Sequence, residues 1–200
     1  MPAYFSLVLS IKKKENNKRL FKDFVGLLED SGFRFKSGYM DCAGDTLKDI
    51  VKINTEKLLA DFELASDEDM SHDYRQSMWE FGGFSEVRMF IVNFREDDYF
   101  TFEIIVPEDE VYDYDADPRY KAEAVSALKS VALALWKRKY VMAIQTCLET
   151  DSAVGPDMML EGEKPSVKPF AIVPASYLKE NRNGSFLYTN VRRKGVLIKQ

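Results

Sequence analysis

The sequence predicts an α+β fold, in which several helices pack on an antiparallel or mixed β-sheet. Segments rich in β-forming residues with alternating apolar positions predict strands, and apolar residues spaced by three or four positions predict amphipathic helices. These strands and helices neither alternate regularly nor fall into separate blocks, which favours this architecture. Because 46% of the 200 residues are hydrophobic, the chain has enough apolar side chains for a core, and we expect residues 1–200 to form a single domain.

The first eighty residues predict strands and helices in turn. The predicted elements are a buried strand at 3–11, a helix at 15–30, a short strand at 33–40, and a second helix with the apolar stripe Leu47, Ile50, Val51, Leu58 and Phe62. Gly32 is placed to end the first helix, and Asp45 to cap the N-terminus of the second. Residues 63–80 are polar, and we expect them to be irregular, with some helix around Asp69–Trp79.

The clearest local pattern is a β-hairpin in the middle of the chain. Its strands are predicted at about 84–94 and 99–106, on either side of a four-residue polar loop, and Pro107 ends the second strand. Asp117 as N-cap and Pro118 as the first helical residue then predict a helix start. The apolar spacing of that helix continues to about Leu148, although 140–148 also fits a strand.

The last fifty residues predict a loop followed by strands. Residues 149–169 contain three prolines and two glycines and predict a long loop. Loops of this length are uncommon unless they have a function or are mobile. A strand is predicted at 170–174 and a C-terminal hairpin at about 185–199, with Arg192–Lys194 as its polar turn.

The charge of the chain is distributed unevenly. The formal net charge is −5, but residues 164–200 carry eight bases and one acid, so residues 1–163 hold about −12. An acidic body repels phosphates, which argues against nucleic acid as a partner. It favours a basic protein partner.

The ends and the cysteines of the chain bear on its location. No apolar run reaches the roughly 18 residues that span a bilayer, so we expect no membrane partner. The apolar residues 3–11 precede the first positive charges, which is the reverse of a signal peptide, and we expect a cytoplasmic protein. Cys42 and Cys147 form neither a disulfide framework nor a metal motif. We expect both to be small core residues, with a single bridge between them as the alternative.

Ten carboxylates and no base lie between Arg95 and Arg119. The hairpin loop, the second hairpin strand and the predicted helix start explain several of them. A compact run remains between strand and helix, and tyrosine is enriched in binding surfaces. We therefore predict a partner-binding segment formed by Glu108, Asp109, Glu110, Tyr112, Asp113, Tyr114 and Asp115.

Catalytic and metal-binding motifs do not emerge from the sequence. His72 stands between Ser71 and Asp73, but adjacent side chains diverge and do not form a catalytic relay. The acids of "DYDAD" match the first ligands of a calcium loop, but Pro118 replaces the required glycine and Ala124 the bidentate glutamate. Glu103 points away from the apolar side of its strand, yet so many acids leave no basis for choosing a catalytic pair. We expect no catalytic activity, cofactor or metal ion.

These observations favour a non-catalytic, acidic protein-binding module. In composition alone the chain resembles, in general type, the bacterial immunity proteins, which neutralise basic toxins or enzymes. One alternative is a small-molecule-binding protein or an enzyme of unknown reaction, with its site near the 149–169 loop. Another is a structural or assembly subunit, such as a homodimer formed through an exposed edge strand at 185–199.

Overall fold

A computed structural model describes residues 3–62, 74–115, 117–178 and 185–200. The eleven strands of the described residues are β1 (Tyr4–Lys12), β2 (Arg34–Gly38), β3 (Ser77–Glu80), β4 (Val87–Asn93), β5 (Tyr99–Pro107), β6 (Tyr112–Asp113), β7 (Arg119–Tyr120), β8 (Val141–Cys147), β9 (Phe170–Pro174), β10 (Leu187–Val191) and β11 (Gly195–Lys199). The four α-helices are α1 (Leu20–Asp30), α2 (Leu47–Leu59), α3 (Ala122–Leu135) and α4 (Pro156–Glu161).

Nine of the strands form one sheet in the order β10-β11-β9-β8-β1-β5-β4-β3-β2, and β6 and β7 form a separate small ribbon. Every pair of neighbouring strands among them is antiparallel. The predicted α+β fold is therefore confirmed. The central strands β1 and β5 pair along their whole length, from Tyr4 opposite Pro107 to Lys12 opposite Tyr99.

The two sides of this sheet are covered differently. We call the side on which α1, α2 and α3 pack the helix face; its side chains from β1 are Phe5, Leu7, Leu9 and Ile11, all buried. Phe102 of β5 contacts two rings of α1, with centroid distances of 4.2 Å to Phe24 and 5.5 Å to Phe21. The main hydrophobic core lies between this face and the three helices.

The opposite side, which we call the open face, presents Ser6, Val8 and Ser10 of β1. Towards β9 and β11 it is covered by the chain between β8 and β9 and by the turn that follows β9. There a second apolar cluster forms around Ala143, Met159, Val167, Ala171, Val173, Tyr177, Val196 and Ile198. Over β1 and β5 the cover leaves a cavity.

Several predicted boundaries agree with the structure. The hairpin β4–β5 and the terminal hairpin β10–β11 lie where they were predicted, and strand β9 has the predicted bounds. The first helix begins at Leu20, five residues later than predicted, and Gly32 follows its end with a φ of +96°, a conformation that favours glycine. Strands β10 and β2 form the two edges of the sheet, so the predicted edge position of the C-terminal hairpin is confirmed.

Both predicted N-caps are wrong. The second helix is capped by Thr46, whose hydroxyl accepts a hydrogen bond from the Asp49 amide at 3.3 Å, while Asp45 pairs with Arg75 at 3.1 Å. The third helix begins at Ala122, not after Asp117. Arg119 and Tyr120, directly after Pro118, form strand β7, which pairs with β6.

In three other regions the structure either differs from the sequence prediction or decides between two predicted alternatives. Residues 141–147, where helix and strand both fitted, form strand β8 between β1 and β9. Residues 77–79, predicted as partly helical, belong to strand β3, which supplies hydrogen bonds to both β2 and β4. The predicted loop 149–169 contains helix α4. His72 and residues 69–73 lie outside the described residues.

Cys42 and Cys147 are both buried and free, so the predicted core positions are confirmed and the alternative of a bridge is wrong. None of the helices in the described ranges combines the length and hydrophobicity that crossing a bilayer requires.

Candidate functional site

The predicted binding segment, which we call the acidic segment (108–115), follows directly from β5. A short 3₁₀ turn at Glu108–Glu110 leads into the β6–β7 ribbon. The Tyr112 ring contacts the rings of Tyr114 and Tyr120, at centroid distances of 4.7 Å and 4.8 Å. Aromatic packing and cross-strand pairing thus hold the segment in one conformation.

Two carboxylates of the acidic segment serve the fold. Glu108 is 4% exposed and accepts hydrogen bonds from the Tyr114 hydroxyl and the Glu149 amide. The bond to Glu108 raises the pKa of Tyr114 to about 12. Glu110 accepts hydrogen bonds from the amide and the hydroxyl of Ser85, with a distance of 3.0 Å to the amide. These two glutamates attach the segment to the end of β8 and to the start of β4.

The other three carboxylates of the segment lie at or near the surface. Asp109 and Asp115 are exposed, Asp113 is half-buried, and the Tyr114 side chain is 60% exposed. Lys121 is close, since its ammonium donates to the main-chain oxygen of Asp109 at 2.6 Å. The structure therefore brings all seven predicted residues together, but divides them into anchoring residues and outward-facing ones.

A cavity of about 280 Å³ lies on the open face, beside the acidic segment. Ser6, Val8 and Ser10 of β1, with Thr101 and Glu103 of β5, form its floor. Asp97 and Tyr99 line one side, and residues 151–155 line another. Its polar residues come from three stretches of sequence, which the antiparallel pairing of β5, β1 and β8 brings together.

Glu103 is the central acid of the cavity floor. It lies opposite Val8 in β1 and Phe90 in β4. One carboxylate oxygen accepts a hydrogen bond from the Thr101 hydroxyl at 3.0 Å, and the other has no donor within the described residues. Burial raises the pKa of Glu103 above the ordinary value of 4.5.

The side of the cavity nearest the β4–β5 loop is built by Tyr99 and Asp97. Burial, the neighbouring carboxylates of Asp97 and Asp157, and a hydrogen bond with Asp97 raise the pKa of Tyr99 to about 12. The pKa of Asp97 is also raised, first by burial and then by Asp157. Gly155 passes close by, and a Cβ at this position would lie 2.6 Å from Asp157 and 2.9 Å from the Tyr99 hydroxyl.

The wall formed by residues 151–155 is held in place by buried polar side chains of β8. The Gln145 amide donates to the main-chain oxygen of Val154 at 2.8 Å and accepts from the amides of Val154 and Ser166 at 3.0 Å and 2.9 Å. Because Gln145 is fully buried, its hydrogen bonds fix the path of the chain over the open face. Thr146, opposite Leu7 and so on the other side of β8, accepts from the amides of Lys168 and Phe170 and fixes the start of β9.

The same chain segment connects the cavity with the acidic segment. The Glu149 amide donates to Glu108, and Asp151, two residues later, lines the cavity. Asp151 contributes to the raised pKa of Tyr114 and to that of Cys147, which burial raises to about 11. The two features are therefore neighbouring parts of one acidic surface.

The basic turn at Arg192–Lys194 has a structural role, as predicted. The Arg193 guanidinium donates to the main-chain oxygens of Trp136 and Arg138 and lies 4.8 Å from the centre of the Trp136 ring. A Cβ at Gly195 would lie 2.5 Å from the same indole, so only glycine fits here. Arg193 therefore joins the C-terminal hairpin to the end of α3.

Sequence reasoning placed an alternative site near the 149–169 loop, which lines the cavity, but did not identify the cavity residues on β1 and β5. The available signal was the polar residues on one side of these strands, Ser6 and Ser10 in β1 and Tyr99, Thr101 and Glu103 in β5. Groups of three or more potential metal ligands are not found within the described ranges. The chain matches no protein-family model, and a search of curated proteins finds no similar sequence.

Proposed function

We propose that the chain is a non-catalytic, acidic protein-binding module, which engages a basic protein partner through the acidic segment. One observation carries the proposal. Asp109 and Asp115 are exposed and Asp113 is half-buried beside the exposed Tyr114 ring, on a segment that buried side chains hold in place. Such a surface needs little ordering when it binds, which lowers the entropic cost of association.

The charges and the aromatic ring have separate roles in this proposal. Outward carboxylates accelerate encounter with a positively charged protein and fix its orientation. Tyr114 supplies apolar contact area together with a hydroxyl group, which is typical of residues at the centre of binding surfaces. A partner of this kind includes a basic toxin or enzyme that the chain neutralises, as immunity proteins do. The buried free cysteines accord with a reducing compartment, and we propose the cytoplasm.

The proposal is tested with a charge-reversal variant in which Asp109, Asp113 and Asp115 are replaced by lysine. The wild-type chain and the variant are immobilised, and capture of a basic protein from the native host is compared. We expect capture by the variant to fall by about tenfold or more, because several attractive charge pairs become repulsive. The far-ultraviolet circular dichroism spectrum is expected to stay unchanged, since these side chains are outside the core.

A matched control changes the net charge equally at other places. Glu29, Glu56 and Glu161 are exposed and lie on α1, α2 and α4, away from the acidic segment. Their triple replacement by lysine should leave capture within about twofold of the wild-type chain, because short-range pairs dominate over net charge at physiological salt. Equal loss in both triple variants, or no loss in either, contradicts the proposal.

A second candidate function is small-molecule binding, as the alternative near the 149–169 loop proposes. The cavity favours it, because residues 151–155 of that loop form one wall. A homodimer formed through β10 is a separate alternative, supported by the edge position of this strand and by the 69% exposure of Leu187. Light scattering of the native chain distinguishes the homodimer from a monomer.

A further inference from the structure

We propose that the cavity on the open face binds an organic cation, a guanidinium or alkylammonium group, with Glu103 as its counter-charge. The inference rests on the second candidate function, small-molecule binding, and names the chemical class of the ligand. It is independent of the acidic segment as a docking surface for a protein.

The charges around the cavity have one sign. Glu103, Asp97 and Asp151 line it, and none of the described lysines or arginines does. The nearest cations have other partners. The Lys13 ammonium pairs with Asp61 at 2.9 Å and donates to the main-chain oxygen of Phe94 at 2.6 Å. The Lys13 charge also acts on Asp97, but Glu103 pairs with none of the described cations, so a negative site remains for a positively charged ligand.

Arg88 on β4 also belongs to the open face, two positions from Phe90, the neighbour of Glu103. Its guanidinium lies over two aromatic rings, at 4.4 Å from the centre of Tyr39 and 5.1 Å from that of Tyr4. Arg88 is not among the residues that line the cavity, so Glu103 has no cationic partner there among the residues that the structure describes.

Glu103 has an unused hydrogen-bonding site that faces the cavity. Only one of its two oxygens accepts a hydrogen bond from a described residue, the one bound to Thr101. Glu103 is half-buried, and partial withdrawal of a carboxylate from water without a counter-charge is unfavourable; a ligand cation with N–H donors reduces this cost. The hydroxyls of Ser6 and Ser10 lie on the same floor and are available to accept further N–H groups.

The size and the apolar part of the cavity limit the ligand. A volume of about 280 Å³ is at the lower end of ligand sites, which suits one small molecule or one long side chain. Val92, Phe94 and Val154 line the cavity and supply apolar contacts for an alkyl chain. The same chemistry belongs to a free amine or guanidine and to an arginine or lysine side chain of a protein.

The test uses isosteric pairs of probes that differ in charge. Butylguanidinium and butylammonium represent the free ligands, and neutral butylurea and 1-butanol are their respective isosteres. A short peptide with one arginine is compared with the same peptide carrying citrulline, the neutral isostere of arginine. Binding to the full chain is measured by calorimetric or NMR titration. We expect saturable binding of at least one cationic probe, and its neutral counterpart to bind weaker by about tenfold or more.

Variants locate the binding at the cavity. Glu103→Gln is expected to weaken binding of the cationic probe by about tenfold or more, and Asp151→Asn by a smaller factor. Glu161→Gln is the matched control, since Glu161 is exposed on α4 and outside the cavity lining, and it should leave binding unchanged. If Glu103→Gln fails to fold, the affinity of Asp151→Asn for the cationic probe still tests whether binding occurs in the cavity.

The outcomes separate the ligand class from the existence of the site. Preference for the free cations supports a small-molecule ligand, and preference for the arginine peptide supports a protein side chain. Equal binding of charged and neutral probes overturns the cation inference but retains small-molecule binding. Absence of saturable binding by every probe, or binding that Glu103→Gln leaves unchanged, overturns the inference.

Discussion

The two faces of the sheet are built from the same strands but are stabilised in different ways. In β1 and β5 the residues of the helix face are phenylalanine, leucine, isoleucine and valine, and three helices cover them. On the open face the same strands present serine, threonine, tyrosine and glutamate around the cavity. The cover there depends on the buried hydrogen bonds of Gln145 to Val154 and Ser166 as well as on apolar packing.

We infer from this difference that the helix face stabilises the fold and that the open face serves binding. Apolar burial on the helix face supplies most of the driving force for folding, because it removes large side chains from water. The open face includes Glu103, a carboxylate without a counter-charge among the described residues of the cavity lining, and we expect this to lower stability until a ligand pairs with it. The predictions below test whether stability is concentrated on one face and recognition on the other.

The largest effect is expected from Phe102→Ala on the helix face. Phe102 is fully buried against Phe21 and Phe24, so truncation leaves a cavity in the main core. We expect the free energy of unfolding to fall by about 3–5 kcal/mol. Urea denaturation followed by circular dichroism measures the change.

The matched control is Phe94→Ala, a substitution of the same type at the rim of the cavity. The Phe94 side chain is 47% exposed, so its truncation should change the free energy of unfolding by less than about 1 kcal/mol. Equal losses in the two variants would show that the two faces do not differ in the way we describe.

A smaller loss is expected from Gln145→Ala on the open face. The substitution leaves the amides of Val154 and Ser166 without their acceptor, and such unpaired groups cost about 1–3 kcal/mol. Hydrogen exchange should accelerate at these two amides and stay unchanged in α1. Uniform acceleration throughout the chain would argue against a local role for Gln145.

The smallest effect on stability, and one of opposite sign, is expected from Glu103→Gln. Glu103 is half-buried and accepts one hydrogen bond from a described residue, so removal of its charge should raise the free energy of unfolding at pH 7 by up to about 1 kcal/mol. Because burial raises the folded-state pKa of Glu103, the wild-type chain loses stability as the pH rises from 4.5 through that pKa. The gain of the variant should therefore be present at neutral pH and vanish below about pH 4.

Thermal unfolding of both chains between pH 4 and 8 measures this dependence. The other charged or titratable groups around Glu103 in the described ranges are Tyr74, Arg88, Asp97, Tyr99, Cys147 and Asp151. They are present in both chains, so the difference between the two curves reports Glu103. If the variant is less stable than the wild-type chain at neutral pH, the inference that the Glu103 charge lowers stability is wrong.

The sequence predicted features that depend on residues close together in the chain. Its predictions failed where contacts between residues distant in the chain determine the secondary structure. The β4–β5 hairpin was predictable because its strands are adjacent and its loop is short. Residues 141–147 fitted both helix and strand, and the hydrogen bonds of β1 and β9 on either side select the strand. The start of α3 was misplaced because Arg119 and Tyr120 pair across space with β6.

For the candidate site the division is similar. The sequence by itself determined the acidic segment, because its carboxylates and tyrosines are close neighbours along the chain. The alternation of β5 also determined that Glu103 points away from the core. Only the tertiary structure decided that Glu108 is an anchor and that Glu103 lies in a cavity with Ser10 and Asp151. The physical reason is that burial and pairing depend on contacts between residues far apart in the chain, which local periodicity does not encode.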